Sequence, residues 1–299
     1  MKKIILSLMV MLIAHLLMTM PIMAQTDHVF KLTKENGHFF LNTSVNGIDA
    51  QLMLESGVPG LMMSDVFYEA HKDSLRMEVK PCNGKIRYLG RIHNIKYTGQ
   101  ARLRIGEAIF EGTVMIADGN HGLLIPINML RHASNNSGIV RVDLTNSELR
   151  ICNGQHLARQ IKDATSFDLT FNKWSMPVVS SRLDMDVDGR RISLGGNFIV
   201  DMGNGSLLFL NKSQANVVKM LNDSQVELKE ARNNSGKVVA EGLYADRLSI
   251  CGRTYKGVSV GISSFERLDE CGHLGLKFFT MPTIFDFDKG KMYLCKDEL

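Results

Sequence analysis

None of the five cysteines (82, 152, 251, 271 and 295) forms a Cys-x-x-Cys pair, which excludes the ligand spacing of a zinc ribbon and the redox motif of a thioredoxin-type site. The odd number leaves at least one thiol outside any intramolecular bridge, although an exported chain would permit disulfides. There is no His-Glu-x-x-His, and the one Gly-x-Ser-x-Gly match, Gly257-Val258-Ser259-Val260-Gly261, sits inside an alternating strand run and not at a strand-to-helix turn, so zinc and serine hydrolysis lack their usual signatures. His93, His121, His132 and His273 are scattered singly, and no metal or cofactor is expected. The stretch GNGSLL at 203–208 lacks the third glycine of a dinucleotide fingerprint. Blocks of basic residues are missing too. The formal charge is +4, and two of those charges are Lys2 and Lys3, so the chain carries no electrostatic footprint for nucleic acid.

What is present begins with ordinary globular composition, 44% hydrophobic and 22% charged over 299 residues. Two lysines open the chain, no charge follows from Ile4 to Thr26, and Pro21-Ile22-Met23-Ala24-Gln25 ends the stretch. That pattern reads as a secretory signal peptide over 1–24. An uncleaved membrane anchor is the alternative, since the stretch is close to the roughly 20 residues that span a bilayer. The expected location is the bacterial periplasm or the exterior. The C-terminal Lys-Asp-Glu-Leu is read as coincidence, because Asn204-Gly205-Ser206 would be a glycosylation acceptor in the compartment where that address is read.

The chain then repeats itself. SVNGIDAQLMLESG around Asn46-Gly47 reads as strand, tight turn and strand, and DVDGRRISLGGNFIVDMG around Asp188-Gly189 reads alike. ARLRIGEAIFEGTVMIAD (101–118) parallels DRLSICGRTYKGVSVGIS (246–263), with Leu103 and Leu248, Ile105 and Ile250, Phe110 and Tyr255, and Gly112 and Gly257 all 145 apart. GLLIP (122–126) parallels GHLGL (272–276), and VRVDLTNSELRIC (140–152) parallels TIFDFDKGKMYLC (283–295). Blocks that keep their order describe a duplication: units at 28–153 and 166–296 joined by a short polar linker, 154–165, that is a candidate helix. Alternation and β-branched content make both units mainly β. Helical patterns are confined to about 64–73 and 211–222.

Acid-x-Gly occurs five times, at Glu35, Glu55, Asp201, Glu270 and Asp288. Only Glu55 and Asp201 follow an apolar strand at matching places in the repeat. Two β-rich halves, each with such a loop and a later Gly-apolar-apolar block, resemble the aspartic peptidases, and most closely secreted bacterial members built from two retropepsin-like units. The resemblance implies an all-β fold of two closed β-barrel lobes about a pseudo-two-fold axis, with both acids in the cleft between them and the Gly-apolar-apolar blocks beneath. It implies peptide hydrolysis by a carboxylate pair that shares one proton and activates water, with a peptide or protein as partner, no membrane contact after signal cleavage, and a monomer.

Carried over by position, Glu55-Ser56-Gly57 is the first loop and Asp201-Met202-Gly203 the second. Ser56 can stand for the usual threonine, whose hydroxyl ties the loops together, but Met202 cannot. Glu55 sets its carboxyl one methylene further out, where a 1 Å misplacement can cost about a hundredfold in rate. These departures open a second reading, a pseudopeptidase that binds a partner in the same cleft without cutting it. A flap hairpin is expected near 82–99, with Tyr88 or Tyr97 as its aromatic tip. Repeat symmetry alone motivates a disulfide between Cys152 and Cys295, the alternative being two core thiols.

Overall fold

The computed structural model describes residues 27–88, 91–132, 138–152, 154–232, 238–265 and 267–296. The expected signal segment, with its anchor alternative, lies outside them, as do residues 297–299 of the C-terminal tetrapeptide.

The first half runs β1 (His28–Glu35), β2 (His38–Val45), β3 (Ile48–Glu55), β4 (Leu61–Ser64), α1 (Asp65–Leu75), β5 (Val79–Tyr88), β6 (Arg91–Ile105), β7 (Ala108–Ala117), β8 (Leu123–Pro126), β9 (Ile139–Asp143) and β10 (Glu148–Cys152). Helix α2 (Gly154–Gln160) falls in the expected linker. The second half runs β11 (Thr165–Phe171), β12 (Pro177–Val187), β13 (Arg190–Val200), β14 (Leu208–Asn211), α3 (Ala215–Ser224), β15 (Lys229–Arg232), β16 (Val238–Ile250), β17 (Arg253–Ser263), β18 (Gly272–Leu274), β19 (Thr283–Asp286) and β20 (Lys291–Leu294).

The turns are the ones the sequence asks for. Asn46-Gly47 and Asp188-Gly189 both have positive φ at both residues (49° and 88°, 48° and 74°), which matches a two-residue hairpin to the twist of its strands. Ser64 caps α1 by accepting a hydrogen bond from the Phe67 N–H at 3.2 Å, and Arg76 closes it in the left-handed region at φ 47°.

Each half closes into a ring of six strands by the same succession of pairings. In the first it is β2–β3–β8–β4–β7–β6 and back to β2. In the second it is β12–β13–β18–β14–β17–β16 and back to β12. The end of β3, residues 52–55, is buried at every position, whereas its start alternates. Strand β13 likewise ends in three buried residues. Both acid loops therefore leave from strand ends with no solvent-facing side.

A third sheet joins the halves in the order β1–β10–β9–β19–β20–β11. At its centre β9 and β19 run antiparallel, with Val140 opposite Phe285. Val140, Val142, Phe285 and Met292 enter the main core, while Ile139, Ile284 and Leu157 of α2 form a small cluster on the other face. Fully burying each such side chain stabilises the fold by about 1.5–3 kcal/mol.

Candidate carboxylate-pair site

Strand β3 delivers Glu55 as its last residue, and β13 ends one residue before Asp201. Behind them run β8 and β18, each parallel to the strand it supports, with Leu54 opposite Ile125 and Val200 opposite Leu274. The Asp201 N–H donates to the Leu274 carbonyl at 2.9 Å. The expected apolar blocks thus do underlie both loops, but their register differs by one from the sequence reading. Leu274 corresponds to Ile125, and His273 corresponds to Leu124.

The two loops cross. Ser56 Oγ accepts a hydrogen bond from the Met202 N–H at 2.8 Å, with both residues buried. A Cβ placed on Gly57 would stand 2.5 Å from Asp201 Oδ1, and one on Gly203 only 2.0 Å from Glu55 Oε2. Each carboxyl therefore lies directly over the glycine of the opposite loop, and no other residue type fits beneath it. The Gly203 N–H also donates to Glu55, and the two acids hydrogen-bond to each other.

The additional methylene of Glu55 is absorbed by folding the side chain back. Its Oε2 accepts from the Ser56 N–H at 3.1 Å while the carboxyl still meets Asp201. Glu55 is 3% exposed, and the Asp201 side chain 13%. Burial raises the Glu55 carboxyl well above its ordinary range, and the neighbouring Asp201 charge adds to it. The N–H donors of Ser56 and Gly203 oppose the shift without cancelling it.

Met202 sends its side chain into the main core at 1% exposure. The second loop thus supplies a backbone donor to the grip between the loops and no hydroxyl acceptor in return. The other acid-x-Gly triplets stand elsewhere: Glu35 at the β1–β2 turn, Asp288 at the β19–β20 turn, and Glu270 just before β18.

One residue of the site escaped the sequence reading. His273, taken there for a scattered histidine, places Nδ1 2.8 Å from Asp201 Oδ2. Its side chain is 9% exposed, and its ring meets that of Phe265 at 4.5 Å between centroids. The available signal was a polar residue inside a block whose counterpart, Leu-Leu-Ile-Pro at 123–126, is wholly apolar. His93 and His121 are not isolated either. Their rings meet edge to face at 5.4 Å, beside the Asp118 backbone. Among the described residues no three His, Cys, Asp or Glu side chains gather as around a metal ion.

The expected flap is the β5–β6 hairpin. Its Ile86 and Ile95 pack on the cluster of Met53, Met62 and Val58, the last of these from the first acid loop. Tyr88 ends β5 opposite Arg91 beside the turn, and its side chain lies outside the described residues. Tyr97 is not a tip residue. It lies at the hairpin base with its ring 6.0 Å from Tyr68 of α1, because the strands continue well past the expected boundary. Cys152 and Cys295 are both buried in the one apolar cluster with Ile139, Leu157 and Ile284. Burial pushes the Cys152 thiol up to about 12, which leaves it inert as a nucleophile.

No family model matches this sequence, and no curated protein does either. Among solved structures, the crystal structure of Basic 7S globulin from soybean matches over 90% of this chain and 95% of that one, at 8% identity and a TM-score of 0.53. Identity that low speaks for the fold alone. With its two strand rings and bridging sheet, the chain has an all-β fold like that of the soybean globulin.

Proposed function

We propose that this chain is an exported aspartic-peptidase-like protein that hydrolyses peptide bonds with Glu55 and Asp201. The observation that carries the reading is the hydrogen-bonded pair itself, with each acid seated over the opposite loop's glycine. Two carboxyls so close cannot both ionise. Glu55, buried and raised, is the natural holder of the shared proton. Asp201 then takes a proton from water as its oxygen attacks the peptide carbonyl carbon, and Glu55 gives its proton to the carbonyl oxygen. Collapse of the resulting diol breaks the C–N bond, the amine leaves with a proton, and one acid regains its own. Export rests on the charge-free N-terminal stretch.

A second reading has its own support. The acids are nearly sealed and Met202 offers no hydroxyl to the grip, which favours a binding protein of the same fold that does not turn over. One experiment separates them. Purified 25–299 is incubated with a broad peptide mixture from about pH 3 to 7, beside Asp201→Asn. Cleavage lost in the variant supports the peptidase. Absence of cleavage at every pH, restored by Glu55→Asp with Met202→Thr, supports the binding protein.

A further inference from the structure

We propose that His273 is a positioning residue of the acid pair: its Nδ1–H holds Asp201 as the ionised member and so assigns the shared proton to Glu55. The inference deepens the reading of Glu55 and Asp201 as a working pair and rests on it.

The argument starts from the two ring nitrogens. Nδ1 lies 2.8 Å from Asp201 Oδ2, whereas Nε2 is buried and has no hydrogen-bond partner in the described structure. A proton on Nε2 alone would be buried unsatisfied, and would force Asp201 to supply the proton for the Nδ1 contact. A proton on Nδ1 is satisfied by Oδ2, which then accepts and does not donate. Such a donor favours the ionised form of Asp201, which meets Glu55 as an acceptor and leaves Glu55 as the donor in the bond between them.

The surroundings leave the imidazole little else to do. Asp201 is the charged group that meets its ring among the described residues, with Glu55 behind it. Its backbone pairs with Ile199 of β13 and Phe209 of β14, and its ring also meets the Phe265 ring. The corresponding place in the first half holds Leu124, fully buried in an apolar cluster, so the fold itself does not require a polar residue there. Only one of the two acids receives a histidine. That breaks the symmetry of the pair at the point where proton placement is decided.

The first test reads the wild-type protein. In 15N-labelled 25–299, the ring signals of His273, assigned by their loss in His273→Asn, are expected to show the Nδ1–H tautomer coupled to Asp201. A proton on Nε2 with bare Nδ1 overturns the proposal. The second test follows the 13C signals of the Glu55 and Asp201 carboxyls with pH. His273→Leu, matched to Leu124, is expected to change the pH dependence of the two carboxyl signals, as loss of a hydrogen-bonding donor should. His273→Asn, which keeps an N–H at the Nδ1 position, is expected to restore most of the wild-type titration. Carboxyl titrations unchanged in His273→Leu overturn the proposal whether or not peptides are cut. Altered titrations without any cleavage uphold the role of His273 and count against the peptidase reading. Where cleavage occurs, the acid limb of the kcat/KM profile is expected to move with the titration, an effect that a purely structural residue would not have.

Discussion

The two acid loops are alike in path and unlike in chemistry. The first has a longer acid, a hydroxyl and an apolar strand behind it; the second has a shorter acid, a thioether turned into the core and a histidine behind it. Both glycines are fixed by the opposite carboxyl, so the backbone crossing is preserved where the side chains have diverged. The grip keeps one bond, Met202 N–H to Ser56 Oγ. The geometry of an acid pair thus depends on backbone and glycine more than on matched side chains, and the differences fall on which acid carries the proton.

The comparison can be broken most severely at Asp201. Asp201→Asn removes the group that accepts the water proton, and turnover is expected to fall by a factor of roughly 100 to 10,000, read as product from the peptide mixture. The glycines come next. Gly203→Ala drives a Cβ to 2.0 Å from a carboxyl oxygen that is almost wholly buried. It is expected to cost about 1–3 kcal/mol in urea unfolding and up to about a hundredfold in rate. Gly57→Ala meets Asp201 at 2.5 Å, and that side chain is more exposed and freer to swing, so the smaller loss is expected there. Equal losses would show that the two loops are less different than their burial implies.

Smaller effects sharpen the contrast. Ser56→Ala leaves the buried Met202 N–H without its acceptor and is expected to lower stability by about 1–3 kcal/mol, read from the urea midpoint. The least is a pH slope. Glu55 is raised in the folded state, so the native protein binds more protons than the unfolded chain above the ordinary value of 4.5. Its contribution to stability is full below that pH and is lost as pH rises through the folded value. Against Glu55→Gln, the wild type should therefore gain stability on acidification from pH 8 to 4, and a flat difference would show the proton is not held at Glu55.

Much of this was legible in the sequence. Alternating runs punctuated by Asn-Gly and Asp-Gly give the hairpins, and position in the repeat singled out Glu55 and Asp201 from five similar triplets. The later blocks were misaligned by one because Gly122 and Gly272 look equivalent and are not. Gly122 has φ +72° in the turn before β8, whereas Gly272 lies within β18, where a Cβ would meet the Phe209 carbonyl oxygen at 2.1 Å. His273 was harder to read for a related reason. Its partner is 72 residues away, and its one signal was polarity in a block whose counterpart is apolar.

The bridging sheet has a consequence for how the chain is made. Among the described residues, β9 pairs with β10 on one side and with β19 on the other, and β11 pairs with β20 at residues 291–294. A chain stopped anywhere before residue 283 would leave β9 as an open edge, with unpaired backbone donors and acceptors exposed to any other strand. Pairings this distant in sequence close slowly. Until residues 283–294 are made, that edge stays open, and the last two strands close it.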